Sequence, residues 1–183
     1  MPCRFPCAAL LLASACIAAA AQDVKLFDSR GLRGSEGVSV RLPLPASWHK
    51  VEPEDDLALA EFRGPQGQAT GILQIARRRL RAGADAACAP ARAPELLRQL
   101  PEEEADTRIT DVFARQVAGR PGYEVHYERD AAPAFLAVRS VIVCLKDSRL
   151  LVSCGGTAAA KPALADLEPA CQHVLENVEI SED

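Results

Sequence analysis

Apolar and polar positions alternate along most of the chain, and Gly/Pro-rich tetrapeptides separate the alternating runs. Gly37 to Leu42 alternates and stops at Pro43, which predicts a strand followed by an extended turn through Leu44-Pro45-Ala46-Ser47-Trp48. Leu57 to Phe62 and Gln68 to Arg77 read as a hairpin turning at Gly64-Pro65-Gln66-Gly67. Three more strands are expected at Arg108–Val117, Tyr123–Arg129 and Phe135–Leu145, with Gly119-Arg120-Pro121-Gly122 and Asp130-Ala131-Ala132-Pro133 as their turns. A last strand, Arg149 to Cys154, follows the turn Lys146-Asp147-Ser148 and exits through Gly155-Gly156.

Helical spacing occurs in two places. Pro94 to Glu104 offers Leu96, Leu97 and Leu100 to a core, and a helix from about Lys161 to Asn177 offers Leu164, Leu167, Cys171, Val174, Leu175 and Val178. A strand-rich chain with one middle and one C-terminal helix predicts an α+β fold, an antiparallel sheet with both helices packed on it.

The first 21 residues obey a different rule. Arg4 precedes an apolar run from Cys7 to about Ala18, and Ala19-Ala20-Ala21 stands before polar Gln22-Asp23. A short basic segment, a run too short to span a bilayer and small residues at a cleavage point predict a secretory signal peptide, residues 1–21, and a single exported domain, residues 22–183. Leu12-Ala13-Ser14-Ala15-Cys16 resembles a lipoprotein box, but the large aliphatic residue is one position too far from Cys16 and the following residues are apolar. Cleavage after Ala21 is therefore preferred to lipidation at Cys16. A periplasmic location and no transmembrane segment are expected. The full chain carries 21 Lys+Arg against 25 Asp+Glu, net −4, and loss of Arg4 makes the remainder one unit more negative. That sign, with only 4% aromatic residues, argues against nucleic-acid binding.

Four cysteines remain after the signal: Cys88, Cys144, Cys154 and Cys171. An even set in an oxidising compartment predicts two disulfides. In the hairpin expected here Cys144 faces a residue near Leu150 and Cys154 one near Ser140 or Val141. The two are then offset by roughly 12 Å along the strands, beyond disulfide reach. Cys171 lies on the apolar stripe of the last helix, which must pack on this sheet. Cys154–Cys171 with Cys88–Cys144 is the favoured scheme, and Cys88–Cys154 with Cys144–Cys171 the alternative.

The order of segments resembles a known group. "V-S-V-R-L-P" (Val38 to Pro43) leads to "A-S-W" (Ala46 to Trp48), and a "F-R-G-P-Q-G" turn (Phe62 to Gly67) follows. A middle helix, "G-R-P-G-Y-E-V-H-Y" (Gly119 to Tyr127), a hairpin and a terminal "C-Q-H-V-L-E-N-V-E-I" complete the series. This layout resembles the PsbP-like superfamily, which includes the bacterial DcrB-like envelope proteins. The resemblance implies an α/β/α sandwich and a non-enzymatic accessory, assembly or binding role. It carries over no catalytic residues.

Candidate chemistry is sparse. Glu124, His126 and Glu128 alternate along one strand and share a face, a weak candidate for a His/carboxylate metal site. The simpler expectation is an amphipathic strand whose charged set faces water. Ser153-Cys154-Gly155-Gly156 lacks the G-x-S-x-G elbow of a hydrolase, and no phosphate-cradling loop is present. No cofactor is expected. Arg77, Arg78, Arg79 and Arg81 form the first-choice docking patch, because guanidinium groups are favoured at interfaces. Glu52 to Asp56 and Glu102 to Glu104 are acidic counterparts, though all three charge runs also suit solvated strand ends and loops. The expectation is a non-catalytic periplasmic protein that binds another envelope or secreted protein as an accessory, assembly or inhibitory factor. An immunity protein against a periplasm-acting toxin, and a small hydrolase or metal-dependent enzyme, are the alternatives.

Overall fold

The computed structural model describes residues 23–35, 37–53, 55–80, 89–94, 106–130 and 134–182. Among the described residues there are ten strands: β1 (Val24–Asp28), β2 (Val38–Pro45), β3 (His49–Val51), β4 (Ala58–Gln66), β5 (Ala69–Arg79), β6 (Thr107–Val117), β7 (Arg120–Arg129), β8 (Phe135–Cys144), β9 (Ser148–Ala158) and β10 (Glu179–Glu182). An α-helix, α1 (Glu168–Glu176), precedes β10. Seven strands form an antiparallel sheet in the order β3-β4-β5-β9-β8-β7-β6, and β1-β2-β10 form a second, three-stranded sheet.

The main core lies between these layers. Val38, Val40, Leu42 and Leu44 recur with period two on β2 and bury one face of the small sheet. They meet Phe62, Leu73, Ile75, Val141, Val143, Leu150 and Val152 from the large sheet, and Cys171, Val174 and Leu175 from α1. On the opposite face of the large sheet, Tyr123, Val125 and Ile142 pack with Ala93 in a smaller cluster.

Trp48, fully buried, sets the geometry at one end of the sheet. Gly64, Gly71 and Gly156 stand opposite one another on β4, β5 and β9. A Cβ on Gly71 would lie 2.1 Å from the Trp48 ring, and one on Gly64 2.7 Å from it. The glycines open a trench that receives the indole. Gly155 and Gly156 therefore lie inside β9 rather than in an exit loop: a Cβ on Gly156 would sit 2.0 Å from the Thr70 carbonyl oxygen.

Other boundaries also move. Leu44 and Pro45 belong to β2 rather than to a turn, and the first hairpin turns at Gly67-Gln68, where Asp166 Oδ2 accepts the Gln68 amide at 2.9 Å. The β6–β7 hairpin turns at Ala118-Gly119, both with positive φ, which leaves Arg120 to Gly122 in β7. In the β8–β9 hairpin Cys144 faces Arg149, and Cys154 faces Arg139, one residue from the expected register. The C-terminal helix is split, a 3-10 segment Lys161–Leu167 followed by α1. Pro169 explains the break: with no N–H to give, it occupies the first turn of a new helix. The expected middle helix, Pro94 to Glu104, falls almost wholly outside the described residues, as does the expected signal segment.

Candidate functional site

Strand alternation puts Glu124, His126 and Glu128 on one face of β7, but that face is not left to water. Glu124 is fully buried, as are Tyr123 and Val125 on the other face. A buried carboxylate is costly unless charged or hydrogen-bonding partners meet it, and two arginines and a histidine do. Arg139 on β8 donates from Nε to Glu124 Oε1 at 2.9 Å, and His126 Nε2 lies 2.7 Å from the same oxygen. Arg115 on β6 donates to Oε2. Burial pushes the Glu124 carboxyl up, but the hydrogen bonds from His126, Arg139 and Arg115 together outweigh it and hold the group below its ordinary value.

The same arginines grip α1 at both ends. Arg139 also donates to Glu168, in the first turn of the helix, and Arg115 Nη2 donates to the Leu175 carbonyl in the last turn at 3.1 Å. Both contacts complement the helix ends, an acid near the N-terminus and a cation at the final carbonyls. Phe113 covers His126, edge to face, with centroids 5.4 Å apart. A cavity of about 150 Å³ lies beside this network, lined by His126, Glu128, Arg139, Leu164, Leu167 and the Cys154–Cys171 pair.

This arrangement suits orientation of the helix better than chemistry. Two guanidinium groups beside Glu124 oppose a metal cation there, and Glu128 is taken by Arg108 and lies 3.7 Å from Lys161. Among the described residues no group of His, Cys, Asp and Glu is placed to hold a metal ion. The amphipathic expectation, with the charged set in water, is corrected at Glu124. Arg115, Arg139 and Glu168 were not singled out from the sequence, although Arg139 interrupting the apolar run Phe135 to Cys144 was a usable signal.

The other sequence candidates separate. Cys154 and Cys171 form a disulfide with Cα atoms 5.3 Å apart, which leaves no thiol at Cys154, and the neighbouring Ser153 hydroxyl bonds to Ser140 Oγ at 2.7 Å. Cys144 is also disulfide-bonded, whereas Cys88, its expected partner, lies outside the described residues. The arginine run is not one patch. Arg77 is pinned by Ser148 Oγ at 2.9 Å and Asp147 at 3.3 Å, and alternation sends Arg78 to the opposite face from Arg77 and Arg79. Arg81 lies outside the described residues. No helix among them is long and apolar enough to cross a membrane.

No protein-family model matches the chain, and no curated protein matches it. Solved structures do. The solution structure of the cyanobacterial PsbP (CyanoP) of Synechocystis is similar over 92% of this chain and 98% of its own, with 10% identity and a TM-score of 0.62. The Mycobacterium tuberculosis protein LpqN, involved in cell envelope biogenesis, is similar over 86% of this chain and 91% of its own, at 17% identity and a TM-score of 0.58. PA94 of Pseudomonas aeruginosa, of unknown function, is similar over 84% and 94%, at 20% identity and a TM-score of 0.53. Two antiparallel sheets, a C-terminal helix and these full-length likenesses establish that the chain has a PsbP-like α+β fold.

Proposed function

We propose that this is a non-catalytic exported protein of the periplasm that binds another envelope or secreted protein. The observation that carries this reading is strand β6. It is eleven residues long and forms one edge of the large sheet among the described residues. Its middle is exposed, with Val112 and Phe113 offering 36% and 43% of their surfaces to solvent. A long edge with apolar side chains invites an extended segment of a partner to add as a further strand. The side chains able to do chemistry nearby, Glu124 and His126, are meanwhile committed to the helix clamp. The signal-like residues 1–21 and the disulfides support export, and LpqN's part in envelope biogenesis is consistent with an envelope role.

The test is capture of partners from the producing cell's envelope fraction by tagged protein, in wild type and in Val112→Lys. A stoichiometric partner captured by the wild type and lost with Val112→Lys supports the edge-strand reading. A partner retained equally by both variants overturns it, as does metal- or substrate-dependent turnover by the purified protein.

A further inference from the structure

Strand β6 is open along its outer side, and Thr110 to Ala114 are all exposed, on both faces. The β6–β7 hairpin fixes which of its backbone groups point outward. The two-residue turn Ala118-Gly119 closes on Val117 and Arg120, which face each other in the ladder, and the hydrogen bond of the turn joins that pair. Bonding then alternates along β6: Arg115 and Phe113 bond towards β7, while Gln116, Ala114 and Val112 aim N–H and C=O away from it. Pro121 agrees with this phase, since it stands opposite Gln116, where no N–H is called for. Among the described residues nothing pairs with those three outward-facing positions.

A second, antiparallel copy of β6 must set outward-bonding residues against one another, so a two-fold axis between the copies passes through a residue of the strand. Asp111, Phe113 and Arg115 share one face, because strand side chains alternate. An axis at Asp111 opposes two carboxylates, and one at Arg115 opposes two guanidinium groups. An axis at Val112 or Ala114 leaves Asp111 against Phe113 or Val117. An axis at Phe113 instead sets Asp111 of each copy opposite Arg115 of the other, twice. It also brings the two Phe113 rings, each 43% exposed, together at the closely spaced kind of pair. Asp111 has no ion pair among the described residues. Arg115 keeps its bonds to Glu124 and the Leu175 carbonyl, so it gives Asp111 cross-strand attraction rather than a hydrogen bond.

We propose that, with no partner bound, two copies of the protein pair antiparallel through β6 about a two-fold axis at Phe113, with Asp111 and Arg115 opposed across it. The proposal rests on the reading of β6 as a docking edge and names what holds that edge until a partner's strand arrives. The paired strip is short, so the dimer is weak and gives way to a better-fitting strand.

Sedimentation velocity of the purified protein is expected to show a monomer–dimer equilibrium with a Kd of about 10 to 100 μM. Asp111→Arg, which sets like charges across the axis, weakens it at least about tenfold while the melting curve stays that of the wild type. Two cysteine variants read the register. Under mild oxidation Phe113→Cys gives a dimer bridged between the introduced thiols, which stand opposite each other. Val112→Cys gives none, because its two copies lie diagonally, roughly 8 Å apart, beyond disulfide reach. A protein still monomeric at about 1 mM, a dimer indifferent to Asp111→Arg, or bridging through Val112→Cys instead of Phe113→Cys overturns the proposal. Every readout uses the purified protein alone, so failure here leaves partner capture at β6 standing, and failed capture leaves the dimer standing.

Discussion

Arg139 stands directly opposite His126 in the β7–β8 ladder, yet its guanidinium reaches past the imidazole to Glu124, Nε to Oε1 at 2.9 Å. One buried carboxylate thereby joins three strands and, through Arg139 and Arg115, both ends of α1. Removing its charge leaves two largely buried guanidinium groups without their shared counter-ion. Glu124→Gln is expected to lower unfolding free energy by about 3 kcal/mol, read from urea denaturation. A loss no larger than that of an exposed surface substitution would mean that the arginines are satisfied elsewhere.

The same cluster sets an acid response. Glu124 titrates lower in the folded protein than in the unfolded chain, where its value is the ordinary 4.5. Its contribution is therefore complete well above that value and is lost as pH falls through the folded one. Thermal melting across acid pH should show wild type and Glu124→Gln converging as the medium becomes more acidic. A constant gap between them would exclude Glu124 as the titrating group.

The Cys154–Cys171 bond closes a loop of 17 residues between β9 and α1. Replacing both cysteines with alanine should cost about 3 kcal/mol, mostly through the freed unfolded chain. Peptide mapping without reduction should recover the Cys154–Cys171 peptide, and a free thiol at Cys171 would contradict it.

Gly71 offers a sharper packing test. A methyl group there would enter the fully buried Trp48 ring, so the ring or the β5 backbone would have to shift. Gly71→Ala should cost about 2 kcal/mol or more and shift the emission of the chain's single tryptophan to the red. Emission and stability both unchanged would mean that the trench is not what seats the indole.

Arg77 and Arg79, two residues apart on the same strand, should behave differently. Arg77 donates to Ser148 and Asp147, whereas Arg79 is exposed at the strand end. Arg77→Ala should cost about 1 to 2 kcal/mol, and Arg79→Ala should stay within about 0.5 kcal/mol of wild type. Equal costs in urea denaturation would contradict the pinning of Arg77.

Much of the sheet was legible because alternation is a local signal. β5 to β9 lie within a few residues of the expected strands, since a half-buried strand writes period two into its own sequence. The strands that were missed, β1, β3 and β10, are short or lie at sheet edges and bury little of themselves. Gly155-Gly156 reads as a loop because glycine's local preference is a turn, and the close approach of Thr70 overrode it.

The sequence by itself determined the strand-rich α+β layout and the common face of Glu124, His126 and Glu128, because side-chain period follows from backbone geometry within one element. It also limited Cys144 and Cys154 to separate bonds, through their offset along a hairpin. Only the tertiary structure decided that Glu124 is buried and ionised, since its partners Arg115 and Arg139 come from other strands, nine and fifteen residues away. Likewise, only the fold decided that Arg77 is held by Ser148 and Asp147 while Arg78 points to the opposite face of β5. Burial and charge pairing are properties of surfaces brought together, and no single element carries both halves of such a contact.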